Sequence, residues 1–552
     1  MCLTTSGACA STLTPCGRPT RSTVPRRKRS SSAISRRRLP TRATRCRAPR
    51  SSPACHTTSS STRPPTPSST GCTGASSNPR TPTLLAFHEA FADIVALFQH
   101  FSFPEVLRHQ IGKTRGDLAD QNLLGELAYE FGRATGVRGA LRSAIGTKKD
   151  GKWQPHVPQP GEYKLTTQPH TRGSHLVAAV FDAFLAIYKS RVADLLRIAT
   201  GGTGRLPEGQ LHPDLVNRLA DEAAKSSRHV LNMCIRALDY CPPCDLTFGE
   251  YLRALITADF DLVRDDYRCY RIAMIEAFRR RGIFPDDVRT LSEDGLCWHA
   301  PDSTEQKLLR RILPRAAQFR KLMPNWDLSC ERSAVFDQML RFQEKLERHI
   351  KECIRRKVPG HVEALRLLGL DAALEERELR VDSLRPARRI GPDGQSIVEL
   401  IVEITQRLPA FWQAGTTGDG PGAERQLPAL PDGLEVAASA AGHNAESSPV
   451  HWGKGFVVLR RYRRQGDGDA DFWVRGGCTL LVDPETATVR YAVVKNIRNT
   501  ARYDREAAYR ARADGSLRFT YFGRIQRLEE SEAFAMLHRS QPEELADGAD
   551  SW

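Results

Sequence analysis

Apolar residues run almost without a break from Leu84 to Phe101, in LLAFHEAFADIVALFQHF. The stretch holds no Gly or Pro and stops before Ser102-Phe103-Pro104, which predicts a helix. Being apolar nearly all round, this helix is expected to be buried. His88, Glu89 and Asp93 interrupt it, and Glu89 and Asp93, four residues apart, share one face. Two carboxylates on a buried face are costly unless they are paired or bind a metal. Pairing with arginines or helix N-termini would satisfy them, and so would a metal.

The pattern predicts further elements along the chain. Leu123 to Thr135 has helical period, and Lys148 to Thr166, with its Gly, Pro and aromatic residues, reads as a loop able to cover a cleft. Next comes Gly173-Ser174-His175, where the histidine opens an apolar helix. Gly201-Gly202-Thr203-Gly204 follows a helix and lacks a Gly-Lys-Ser/Thr ending, so it reads as a turn and not a phosphate loop. Pro213 sits in the first turn of a helix that runs through Leu231. Cys241-Pro242-Pro243-Cys244 has C-x-x-C spacing without a second pair and reads as a helix–helix turn, ahead of a metal or redox pair. Thr304 to Lys357 is charged, helical in period and solvated on one side.

From Leu379 the period shortens. Leu379 to Pro386 and Gln395 to Arg407 read as strands joined through Gly391-Pro392-Asp393-Gly394. Residues 414–449 are rich in Gly, Ala and Pro and form a linker. Phe456 to Tyr462, Asp471 to Val482 and Thr488 to Val494 are further strands, the last two joined at Pro484-Glu485-Thr486. The expected organisation is a basic N-terminal segment (1–80), a mainly helical lobe (81–290), a helical connector (291–359) and a small α+β module (360–552). No apolar run is long enough to span a membrane.

Charge changes this picture in one place. Residues 1–80 hold 15 Lys and Arg and no Asp or Glu, which leaves 66 basic against 64 acidic residues in the remainder. The +17 net charge therefore belongs to the N-terminal segment, and the rest of the chain does not look like a nucleic-acid binder. That segment has almost no large apolar side chain and is expected to be disordered. It could be a basic arm, a transit peptide or a wrong-frame translation of GC-rich DNA. Six of the 14 cysteines lie in it, and the other eight are scattered, as in a reducing cytoplasm. No charged region followed by an apolar one marks a secretory signal.

Glu89-Ala90-Phe91-Ala92-Asp93 resembles the E-A-x-x-D helix of the thermolysin-like (gluzincin) zinc peptidases. Gly173-Ser174-His175 and the apolar helix after it resemble that family's second signature, and Tyr251 to Ile283 resembles its closing helices. The resemblance covers residues 84–290. It implies a mostly helical C-terminal peptidase lobe, with the strand-bearing lobe upstream and outside this chain. It also implies that Glu89 is a zinc ligand, Asp93 a partner that orients a zinc-bound histidine, and His175 the donor to the oxyanion of the tetrahedral intermediate. Where the family has an acid five residues before this histidine, the present chain has His170.

The family also needs H-E-x-x-H, whose histidines bind zinc and whose glutamate is the general base. The motif is absent from this sequence. Read one base earlier, however, the codons of Ser61-Thr62-Arg63-Pro64-Pro65-Thr66 are compatible with H-E-T-T-H. Ser59 to Ser61 then shift to apolar codons, and Thr66 lies 23 positions before Glu89, a spacing the family tolerates. The resulting expectation is a zinc metallopeptidase acting on peptides whose residues 1–80 are frame-shifted. With one ligand left it would be inactive as written and would not hold its zinc. The competing expectation is a non-catalytic binding or scaffold protein with a basic arm for an acidic partner.

Overall fold

The computed structural model describes residues 82–113, 146–149, 152–157, 159, 162–166, 169–206, 208–322, 332–372, 378–391, 394–413, 436–437, 450–453, 456–460, 472–499 and 501–503. Residues 1–80, the helix expected at Leu123–Thr135 and most of the linker expected at 414–449 lie outside the described residues. What is described is mostly helical, with one main sheet. Among the described residues no helix is long and apolar enough to cross a membrane.

The apolar stretch forms α1 (Pro82–His100). Leu84, Phe87, Ala90, Ile94, Leu97 and Phe98 recur at helical spacing and are buried. The expectation of burial all round needs correcting: Ala92 and Gln99 are exposed, and His88, Glu89 and Asp93 are half-buried. α2 (Pro104–Lys113) follows, then a hairpin of β1 (Gly146–Lys149) and β2 (Lys152–Pro155), and a single turn of helix, α3 (Glu162–Leu165). The loop expected over 148–166 therefore contains a strand and a helical turn.

α4 (Pro169–Ala199) is the centre of the helical layer. Every residue from Leu176 to Phe184 except Asp182 is buried, and Phe184 meets Phe98 and Phe101 edge-on. Each buried ring of this kind contributes about 2–3 kcal/mol through its removal from water. α4 ends in the turn expected at Gly201–Gly204, where Gly201, Gly202 and Gly204 all adopt positive φ. α5 (Pro213–Ala237) carries Pro213 in its first turn and continues past Leu231 into a 3-10 turn, Leu238–Tyr240. Cys241 to Cys244 then link it to α6 (Phe248–Leu262), which Thr247 and Glu250 start with a reciprocal capping box. α7 (Tyr270–Arg280) completes the layer.

α8 (Glu293–Leu296), α9 (Ser303–Leu309), α10 (Ala316–Leu322), α11 (Arg332–Arg355) and α12 (His361–Leu367) come next. The strands are β3 (Leu379–Ile390), β4 (Ser396–Gln413), β5 (Val436–Ala437), β6 (Val450–Gly453), β7 (Phe456–Arg460), β8 (Phe472–Asp483) and β9 (Thr488–Lys495). Their order is β5-β6-β7-β4-β8-β9, with β3 also on β4. The expected β3–β4 hairpin is present, with Ile390 opposite Ser396 and Leu379 opposite Gln406. All pairings are antiparallel except β4–β7.

The period of two divides the sheet between two cores. Ile401, Leu481, Tyr491 and Val493 join the core of α1 and α4–α7. Leu400, Val402, Ile404, Leu480 and Val482 join a second core with residues of α9–α12. The sheet is thus the middle layer between two sets of helices. The boundaries near 290 and 360 mark changes of local pattern within one unit. Polar side chains fasten the helical layer to the sheet. Arg385 and Arg389 reach Asp239, Arg490 reaches Asp261, Thr479 Oγ1 donates to the Cys241 carbonyl, and Lys495 Nζ donates to Glu250.

Candidate functional site

The site begins where α1 and α4 cross. A β-carbon on Gly173 would stand 2.8 Å from the Ala86 carbonyl oxygen and 3.4 Å from the Ala90 nitrogen. Only glycine lets α4 lie this close to α1, and Ala86 and Ala90 offer the small surface it needs. Glu89 is the neighbour of Ala90, and Asp93 follows one turn later on the same side of α1. His175 lies two residues beyond Gly173. α4 starts at Pro169, so His175 belongs to its second turn and does not open the helix as expected.

Arg172 holds this corner. Its Nε donates to Thr83 Oγ1 at 3.1 Å, and its Nη1 donates to the carbonyls of Tyr163 at 3.0 Å and Thr166 at 2.7 Å. The guanidinium carbon lies 4.2 Å from the centroid of the Tyr163 ring, which stacks on Phe248. One side chain therefore joins α1, α3 and α4. The result is a nearly closed setting for His175, which is 5 % exposed. Its Nε2 is 3.4 Å from Thr166 Oγ1, and the Tyr163 ring meets it edge-on at 6.2 Å.

Burial pushes the His175 pKa below its ordinary value, and Glu162 opposes this. Arg281, His156 and Arg172 add to the lowering. His175 is therefore a neutral imidazole at neutral pH, able to donate one N–H. His88 is also lowered by burial, with Glu89 opposing. The carboxylate that acts most on His175 is Glu162, not Glu89 or Asp93. Glu162 lies 3.4 Å from His156 and its carbonyl accepts from Thr166 Oγ1 at 2.9 Å. A second acid follows on α4: Asp182, two turns after His175, accepts from Arg281 Nε at 2.8 Å. Burial raises the Asp182 pKa, and Arg281 opposes it.

His156, Glu162, Asp182 and Arg281 were not visible as site residues in the sequence. Asp182 had a signal in its seven-residue spacing from His175. Glu162 and His156 had none, because folding of the loop between β2 and α4 brings them in. The chain has no acid five residues before His175, and the carboxylate that acts on its ring through space, Glu162, comes from another segment and is bonded to His156. Gly201–Gly204 and the Cys241–Cys244 turn take no part in this site; both cysteines are buried thiols outside any disulfide.

Among the described residues no three His, Cys, Asp or Glu side chains converge as a metal ion requires. Glu89 and Asp93 do not by themselves fit a zinc ion. What the described residues can do is present a buried neutral imidazole beside a hydroxyl, with the Glu162 carboxylate at the solvent-facing side of the corner. The chain matches no family model, no curated protein and no solved structure.

Proposed function

We propose that this chain is the helical lobe of a thermolysin-like zinc peptidase that has lost its H-E-x-x-H segment to a shifted reading frame in residues 1–80. The observation that supports this reading is the seating of Gly173 on Ala86 and Ala90. It joins the helix bearing Glu89 and Asp93 to the helix bearing His175, two segments that share the family's motifs. In a restored chain Glu89 would be the third zinc ligand, Asp93 would orient a ligating histidine, and the zinc would activate water and polarise the scissile carbonyl. His175, held neutral and backed by Thr166, would give its N–H to the oxyanion. The chain as written has one of three zinc ligands and no general base, so it does not hydrolyse peptides.

The nucleotide sequence across the codons for Ser51 to Glu89 tests this. The expected result is H-E-x-x-H one base earlier, with an open frame upstream. The restored protein should then bind one zinc per chain and cleave a generic peptide, whereas the written chain should do neither. If the codons spell no such motif, a binding or scaffold protein with a basic arm becomes the better reading. Stoichiometric zinc together with cleavage by the written chain would refute the proposed inactivity.

A further inference from the structure

Away from this site, a cavity of about 220 Å³ opens where the helical layer, the outer helices and the β9 edge of the sheet meet. Its apolar wall includes Leu309 and Val494, and its polar wall consists of Arg253, Trp298, His299 and Glu305. Arg253 lies over the Trp298 indole, with its guanidinium carbon 3.8 Å from the ring centroid. Its Nε and Nη2 donate to the carbonyls of Leu296 at 3.1 Å and Cys297 at 3.2 Å. Among the described residues no carboxylate pairs with it, and Nη1 has no protein acceptor. Burial pushes its pKa down, with Glu250, Cys297 and Asp287 opposing through space; none of them forms an ion pair with it, and the Glu250 carboxylate is already bonded to Lys495.

A half-buried guanidinium without a counter-ion favours an anion beside it. The one acid on the wall does not fill that role. Glu305 Oε2 lies 2.6 Å from His299 Nε2 and accepts from the Asp302 backbone N–H at 2.9 Å. The rest of the wall is an indole and aliphatic carbon. A cavity of about 150 Å³ holds benzene, so this one has room for a phenyl or isobutyl group and a carboxylate. We infer that the cavity binds a small monocarboxylate with an apolar body, its carboxylate on Arg253 and its body against Leu309 and Val494. With about ten non-hydrogen atoms, such a ligand binds with a Kd on the order of 1 mM.

The test uses the full chain with phenylacetate, neutral phenylacetamide and inorganic phosphate, followed by thermal unfolding and ligand-observed NMR. Phenylacetate should raise the melting temperature saturably, with the amide and phosphate at least about tenfold weaker. Ala492→Leu narrows the cavity while keeping the Arg253 guanidinium and should abolish binding. Arg253→Gln should weaken it about tenfold. If that variant does not fold, Ala492→Leu decides alone. Equal binding of the amide, equal binding of phosphate, or unchanged binding by Ala492→Leu would each overturn the inference.

Discussion

Arg389 on β3 donates to Glu399 on β4, and both side chains are buried between the sheet and the helical layer. Arg389 also donates to Tyr240 and Asp239, and Glu399 also accepts from Arg490. Burial raises the Glu399 pKa, and the two arginines oppose that rise. Removing one member leaves charge buried without its partner, which typically costs about 3–5 kcal/mol. Glu399→Leu should lower the unfolding free energy by about 3 kcal/mol, measured by urea denaturation. The double variant Arg389→Met, Glu399→Leu should be more stable than Glu399→Leu alone. It leaves Arg490 with Asp261 and Asp239 with Arg385. Equal or greater damage in the double variant would contradict this.

Gly173→Ala sets two effects against each other. Alanine gains about 1 kcal/mol over glycine in a helix interior. The added methyl would stand 2.8 Å from a backbone oxygen that cannot swing aside, and such overpacking costs about 1–3 kcal/mol. The clash should win, with a net destabilisation of about 1 kcal/mol in urea denaturation. A stabilised variant would mean that α1 and α4 separate easily.

Stability should fall as the solution is acidified through the histidine range. His175 has a folded pKa below its ordinary value of 6.5. Below 6.5 the unfolded chain takes up the proton before the folded one does, so protonation favours unfolding. His88, His229 and His349 are lowered by burial as well and act in the same direction. The raised carboxyl groups Asp182, Asp259 and Glu399 hold protons in the folded state and act in the opposite sense, from their ordinary values of 3.8 and 4.5 upward. A difference measurement isolates His175. The drop in melting temperature from about pH 7.5 to about pH 5.5 should be smaller in His175→Gln than in the unaltered chain. An identical drop would show that His175 titrates normally.

A fragment ending at residue 290 should not fold by itself. It would lose Arg389, Arg490, Lys495 and Arg502, which partner Tyr240, Asp261, Glu250 and Asp245. It would also uncover the core that Ile401, Leu481 and Val493 share with the helices. Near-UV circular dichroism should show no fixed aromatic environment, and thermal unfolding should not be cooperative. A sharp transition in the fragment would establish an independent lobe.

Local pattern made much of this structure legible in the sequence. The β3–β4 hairpin follows from alternation on either side of a Gly-Pro-Asp-Gly turn, and the start of α5 follows from Pro213. Glu89, Asp93 and His175 stand out in the sequence because motif and spacing are local, and the structure brings the helices that carry them together at Gly173. The rest depended on long-range assembly. The contact of His175 with Thr166, and the influence of the Glu162 charge on it, require the loop between β2 and α4 to fold back. The union of helices and sheet rests on pairs such as Arg389 with Asp239, 150 positions apart. No periodicity reports such a pair.

On two edge strands of the sheet, β9 and β3, side chains take up a backbone position. On β9, Gln306 donates to the Val489 carbonyl at 2.5 Å and accepts from its N–H at 3.1 Å. On β3, Gln343 donates to the Val381 carbonyl at 2.5 Å, and Glu347 accepts from the Val381 N–H at 3.1 Å. Each pair of contacts imitates the rung of a neighbouring strand. At these two positions an incoming strand from another molecule would find the backbone already answered. Strand addition there would first have to pull Gln306, or Gln343 and Glu347, out of place. A partner that approaches at Val489 or Val381 is consequently met by a side chain where a strand would need a free amide.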